Sequence, residues 1–328
     1  MVPFRHYIAP PTASTDTGAK VILRSKKLVA NAFARLALRL PAVERLLVAG
    51  GHRPLLRRHL RLGAVALGYP RVLGKREFRI ATMNGYRFFV NVGESLGVGP
   101  YFFGKSGTVW LTRALIGPGD ICVDAGANAG HYTFQCASVV GPAGKVFAFE
   151  PNPEFADLLR KSIALNSFEN IIQVNTNALW SVSDETKTFY ISIEPTNTGT
   201  SSLVKHGLFL SNNHHIAVRT IRFDDFADRS AVERFRLVKI DVERAEDCLL
   251  EGAERTLMSK RIDYLIVEMY SGGRAQTLLQ GAAYQGYLLV EEKQELLPLA
   301  NVPDGHFGDY LFVRPGLDVP RRERDPAD

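Results

Sequence analysis

Cysteine is scarce in this chain of 328 residues: Cys122, Cys136 and Cys248 are the only three. They are odd in number, widely spaced and match neither a zinc-ligand nor a CxxC pattern, so a disulfide scaffold and a structural zinc site are excluded. They read as thiols of a reducing compartment. Long apolar runs are also missing. The longest uncharged stretch, 125–144, carries glycines together with Asn128, His131 and Gln135, too polar for the ~20 apolar residues that a membrane span needs. The first 20 residues lack the apolar run of a secretory leader and are rich in Pro, Thr and Ser, which predicts disorder there. Internal repeats are absent. Hydrophobic residues at 46% and charged residues at 23% are ordinary for soluble globular proteins and exclude collagen-like, coiled-coil and wholly disordered chains. The expectation is a cytoplasmic globular protein able to bury its own core.

Charge is unevenly placed. Residues 1–76 hold 15 Lys and Arg against only Asp16 and Glu44, a net +13, whereas the remainder holds 25 basic and 32 acidic residues, a net −7. A basic helical extension over 1–76 therefore precedes an acidic body over 77–316, with a disordered tail at 317–328. Within the extension, Val29, Ala32, Phe33, Leu36 and Leu40 fall on one helical face and Arg24, Lys27, Asn31, Arg35 and Arg39 on the other. Pro41 ends that helix, and basic residues continue to Arg61. The apolar face suits a cap packed on the body. The same division also suits an amphipathic helix over 21–62 lying on anionic lipid, which would put the protein at the inner membrane surface. No nucleic-acid-binding motif is present.

The body opens with a hairpin, because FRIAT and YRFFVN flank Asn84-Gly85, a pair suited to two positive-φ turn positions. Lead-in residues 77–116 pass into a core over 117–316. There, ICVDA (121–125), VFAFE (146–150), IIQVN (171–175), RLVKID (236–241), YLIVEM (264–269), YLLVEE (287–292) and YLFVR (310–314) read as strands alternating with helices. That rhythm predicts an α/β fold with a mostly parallel sheet. An insertion near 180–220, with TKTFYISI and IAVRTI, predicts a lid or β-extension.

The chemistry concentrates in Asp124-Ala-Gly126-Ala-Asn128-Ala-Gly130. A strand ends in an acid, glycines let a ligand approach the backbone, and a helix N-terminus follows. Glu150 stands 20 residues after Gly130, at the end of the next strand, where a carboxylate can accept both hydroxyls of a ribose. A dinucleotide site is one reading. However, an acid before the first glycine would repel pyrophosphate, and it suits a ligand carrying an ammonium and a sulfonium. Charge thus favours S-adenosylmethionine.

The ordered segments PGDICVDAGANAGHYT, FAFEPNPEFADLLRKSIALN, NALWS, IRFDDF, LVKIDVERAEDCLLEGA and IVEM resemble the FkbM family of S-adenosylmethionine-dependent methyltransferases over about Gly117 to Glu268. The resemblance implies the class I methyltransferase fold, Rossmann-like, with an antiparallel last strand at 310–314. It assigns Asp124, Gly126, Asn128 and Gly130 to the methionine and ribose end of the donor, Glu150 to the ribose hydroxyls, Asn152 to the adenosine, and Asn177 with Ala178 to the adenine edge. It also implies O-methylation of a sugar, glycolipid or natural-product hydroxyl. The chain departs from the family at Arg244, where glycine is common, and in 101–107, which lack an acid.

An alcohol needs a base as it attacks. Asp241, at the C-terminal end of a core strand where ligands collect, is the leading candidate for that base. His131 is a second candidate, better suited to positioning. Glu243, Glu246 and Glu268 can orient the acceptor or hold a divalent ion by oxygen ligands, the metal requirement being left open, and Lys239 can neutralise them. His214 and His215 lie in the insertion. Tyr86, Phe88, Phe89, Tyr101, Phe102 and Phe103 could offer ring faces to a sugar, although half of them must face the core. A nucleic-acid methyltransferase and a dinucleotide oxidoreductase are the competing classes. The sequence leaves the oligomeric state open.

Overall fold

The computed structural model describes residues 31, 34–35, 39–52, 70, 72–104, 109–193, 197–205, 214–291 and 293–320. The expectations for residues 1–30, 32–33, 36–38, 53–69 and 321–328 lie outside them, among them Val29, Ala32, Phe33 and Leu36 of the apolar face and Arg24 and Lys27 of the basic one.

Strands β1 (Phe78–Met83) and β2 (Tyr86–Asn91) form the expected antiparallel hairpin, paired from Phe78↔Asn91 to Met83↔Tyr86. Asn84 and Gly85 take φ of 49° and 86°, the two positive values such a turn requires. Alternation then buries Met83, Tyr86, Phe88 and Val90. Tyr86, Phe88 and Phe102 are core residues, half of the six aromatics of this run, as expected.

Helix α1 (Pro41–Gly51) begins at Pro41, which fits proline at a first helical position. It packs through Val43, Leu47 and Val48 against the body. Its buried Glu44 accepts from Tyr101 Oη at 2.9 Å and pairs with Arg79 at 3.6 Å. Helices α2 (Ser95–Phe103) and α3 (Val109–Leu115) lead into the core.

The core strands are β3 (Ile121–Ala125), β4 (Lys145–Phe149), β5 (Ile172–Asn175), β9 (Phe235–Ile240), β10 (Ile262–Tyr270), β11 (Gln285–Val290), β12 (Glu295–Pro298) and β13 (Phe307–Val313). Among the described residues they form one sheet in the order β12-β11-β13-β10-β9-β3-β4-β5. Pairings β5-β4-β3-β9-β10 are parallel, and β13 runs antiparallel to both its neighbours. The strands are apolar on both faces because helices cover both. Helix α4 (His131–Val140) and the hairpin cover one face. Helices α6 (Phe223–Arg229), α7 (Glu246–Gly252), α8 (Glu254–Met258) and α9 (Arg274–Gly281) cover the other. Helix α5 (Pro153–Asn166) holds the hairpin, since Asn166 exchanges two hydrogen bonds with the Arg87 backbone and Ser162 Oγ accepts from Phe89 N.

The insertion is a second, small sheet. Strand β8 (His215–Ile221) pairs antiparallel with β7 (Thr186–Tyr190) and parallel with β6 (Ala178–Leu179). One boundary needs correction. Residues 317–320 are not a loose tail: Leu317 and Val319 pack on the core, and Tyr264 Oη donates to Asp318 O at 3.2 Å. No helix among the described residues is long and apolar enough to cross a membrane.

Candidate active site

The β3–α4 turn explains its own glycines. A Cβ at Gly126 would stand 1.8 Å from the carbonyl oxygen of Asp241, and φ there is +83°. A Cβ at Gly130 would meet Leu159 at 2.4 Å, with φ at +96°. The expectation that these glycines clear space for a ligand is therefore corrected: the chain itself fills the space. Every amide of 126–130 is spent internally. Gly126 and Ala127 donate to Phe149 O, Asn128 to Glu150 Oε2, Ala129 to Asn128 Oδ1, and Gly130 to Ala127 O. No amide remains in this loop to cradle a pyrophosphate, which removes the dinucleotide reading.

Orphan polar atoms remain beside that loop, two of them on Asp124 and Asn152. Asp124 is buried; its Oδ2 accepts from Thr133 Oγ1 at 2.6 Å, but its Oδ1 has no partner. Burial raises its pKa. Asn152 caps α5 through Oδ1, which accepts from Glu154 N at 3.1 Å, and leaves Nδ2 buried and unpaired. Glu150 stands between them, accepting from Asn128 N at 2.7 Å and Asn152 N at 2.8 Å. Burial pushes it up to about 7. A buried acceptor and a buried donor without partners cost free energy, and a polar ligand carrying an ammonium and ribose hydroxyls satisfies both. The residues fit S-adenosylmethionine. Asn177 lies just past β5, half-buried, whereas the Ala178 side chain is core with Phe189 and Val218.

The second half of the site starts where β9 ends. Asp124 and Lys239 are register partners, and Lys239 reaches forward to donate to Asp241 Oδ2 at 2.8 Å. Its ammonium also lies 5.7 Å from the Tyr132 ring. The turn after Asp241 places both Glu243 and Arg244 at positive φ, 53° and 74°. Glu246 pins that turn, because its Oε1 accepts from Val242 N at 3.1 Å and Arg244 N at 3.2 Å. Its expected contact with substrate is thus corrected to a structural one. Carboxylate oxygens of Asp241, Glu243 and Glu268 come within 4.8 Å of one another, an oxygen set that could hold a divalent ion. Burial, and next the charge of Asp241, push Glu243 up to about 8 and raise Glu268 as well. Asp309, opposite Glu268 on β13, is raised by burial.

His131 opens α4 with Nε2 buried and unpaired, and its ring meets Phe88 edge-on at 5.8 Å. Burial, then Lys239, lower it to about 4, so it is neutral at pH 7. His214 and His215 are exposed at the start of β8. The turn 198–200, within the insertion expected to be a lid or β-extension, crosses the site, although none of its residues was singled out from the sequence. A Cβ on Gly199 would lie 3.6 Å from Asn128 Nδ2 and 3.9 Å from Glu243 Oε1. Ser202 Oγ donates to Glu243 O, fastening this segment to the acidic turn. Nothing in the insertion's composition marked it.

A sheet with the order and the antiparallel β13 described above, an acid ending β3, and a second acid just past β4 define a class I S-adenosylmethionine-dependent methyltransferase. The Methyltransferase FkbM domain matches residues 124–288, half of the chain, and the chain belongs to that family. It is 27% identical over 195 residues to the hexuronic acid methyltransferase AglP of Haloferax volcanii, covering 59% of this chain and 74% of that protein. It is 26% identical over 220 residues to the 2-O-methyltransferase NoeI of Sinorhizobium fredii, covering 62% and 82%. Fibrillarin from Aeropyrum pernix, solved with bound S-adenosyl-L-methionine, aligns at TM-score 0.36 and 12% identity over 72% of this chain and 99% of that one. So low a score adds nothing to the sheet order.

Proposed function

We propose that this methyltransferase acts on a sugar hydroxyl. The observation that carries the reading is the Lys239–Asp241 pair, set between the buried Asp124 on one side and Glu243 and Glu268 on the other. The names of AglP and NoeI support an acceptor of the sugar class. S-adenosylmethionine, when bound, supplies an electrophilic methyl group on a sulfonium. Asp124 and Glu150 hold the ammonium and the ribose hydroxyls, with Asn152 Nδ2 as a donor beside them. Asp241, oriented by Lys239, takes the proton of the attacking hydroxyl as the new bond forms. Glu243 and Glu268 hold their own protons at neutral pH and donate to neighbouring acceptor oxygens. The turn 198–200 lies across the site, beside Asn128 and Glu243.

Holding nucleophile and electrophile in line is worth about 7–11 kcal/mol of barrier, and the base adds a factor of about 10²–10⁴. Neutral and acidic monosaccharides and their oligomers, RNA and DNA should be offered with labelled donor. Label on a sugar hydroxyl supports the reading, and label on nucleic acid alone overturns it.

A further inference from the structure

The sheet end that carries the acids also carries an exposed aromatic pair. Tyr270 and Phe307 are 45% and 50% exposed, with ring centroids 4.8 Å apart. They are register partners, two positions beyond Glu268↔Asp309 on the same two strands. Side chains two apart on a strand share a face, so the pair lies on the face of Glu268 and Asp309, about 7 Å further out. That face also carries Asp124 and Lys239, which share it with Cys122 and Leu237, two residues earlier on the same strands.

The support beneath the pair is rigid. Ser271 N donates to His306 O at 2.9 Å and Gly305 N to Ser271 O at 2.9 Å. Ser271 Oγ donates to Pro303 O at 2.6 Å and accepts from His306 N at 2.9 Å. Four hydrogen bonds thus lock together the two loops next to the rings. Two large aromatic side chains fixed in water, continuous with a polar crevice, form a surface made to be covered.

We propose that Tyr270 and Phe307 form a glycan subsite, on which the sugar next to the methylated one stacks its C–H face. The proposal rests on the sugar-acceptor reading, extending it from a single sugar to an oligosaccharide. The spacing supports it: with one acceptor ring beside Asp241 and Glu268, its glycosidic neighbour falls on the aromatic pair.

The test uses the full chain with S-adenosylhomocysteine, and cellotetraose, chitotetraose and a glucuronate–N-acetylglucosamine tetrasaccharide, each against its monosaccharide. Affinity is read by saturation-transfer NMR and methyl transfer in parallel with labelled donor. At least one tetrasaccharide should bind more tightly than its monosaccharide. Tyr270→Ala with Phe307→Ala should weaken that tetrasaccharide about tenfold and leave the monosaccharide and donor unchanged. Tyr270→Phe with Phe307→Tyr should restore it. Both side chains are exposed, so the alanine variant should keep its melting temperature.

No preference for any tetrasaccharide, or equal loss for mono- and tetrasaccharide, overturns the subsite. So does a dimer that the alanine variant splits, which would give the pair to a second copy of the chain. Methylated sugars with the alanine variant unaffected would sink the subsite alone. Tetrasaccharide binding at the pair without methylation of any sugar would sink the acceptor reading alone.

Discussion

Glu150 couples donor binding to pH. Its two oxygens already accept from Asn128 N and Asn152 N, so ribose hydroxyls must use the remaining lone pairs of an ionised carboxylate. Burial holds the free group at about 7. At pH 8 roughly nine-tenths of the molecules are ionised there, and at pH 6 roughly one-tenth, by the ordinary titration relation. Affinity for S-adenosylmethionine should therefore weaken by up to about tenfold from pH 8 to pH 6, on the order of 1 kcal/mol. Calorimetry across that range measures it. Glu150→Gln should bind more weakly at pH 8, by about 1.5–3 kcal/mol, and should lose that pH dependence. A wild-type affinity flat between pH 6 and 8, or a Gln variant with the same slope as wild type, would refute the coupling.

Gly126→Ala should destabilise the fold by about 3 kcal/mol or more, since its Cβ would collide with the Asp241 carbonyl at 1.8 Å; a melting curve like that of wild type contradicts this. Glu243 keeps its proton to about pH 8 when folded, against about 4.5 for an ordinary glutamate. The folded state then binds more protons between those values, so this group's contribution to stability falls as pH rises through that window. Glu243→Gln should accordingly raise the melting temperature more at pH 8 than at pH 5, a gain on the order of 1–2 kcal/mol; equal shifts at both refute it. Because Lys239 already places a cation beside Asp241, turnover should survive a chelator. Loss of turnover restored by added Mg²⁺ would assign Asp241, Glu243 and Glu268 to a metal ion.

Much of the fold was legible because its signals are local. Asn84-Gly85 fixed a turn, and apolar runs such as ICVDA fixed strands that a parallel sheet buries on both faces. The acids Asp124, Glu150 and Asp241 could be placed because each stands at or just past a strand end, where strand order brings distant segments together. Other features depend on tertiary geometry that no window of sequence contains. Gly126 is needed by the Asp241 carbonyl of another strand. Glu246 looked like a substrate residue until its carboxylate was found bonded to two amides of its own turn. The 198–200 turn reached the site through Ser202 and the pairing of Tyr190 with Ser202, a contact set by how the small sheet folds back. Asp309 joined the acids only through the antiparallel register of β13 on β10. Strand β12 was missed because ELLP is short and ends in proline.

The central claim is that Asp241 is the base and lies outside the donor's own contacts. Asp241→Asn keeps the shape and a hydrogen-bonding group beside Lys239 but cannot take a proton. Donor affinity and turnover should be measured on the same preparation, with a sugar acceptor that the wild type methylates. The account predicts affinity within about twofold of wild type and turnover lower by about 10²–10⁴. Turnover near that of wild type would contradict it, and so would donor affinity lost together with activity.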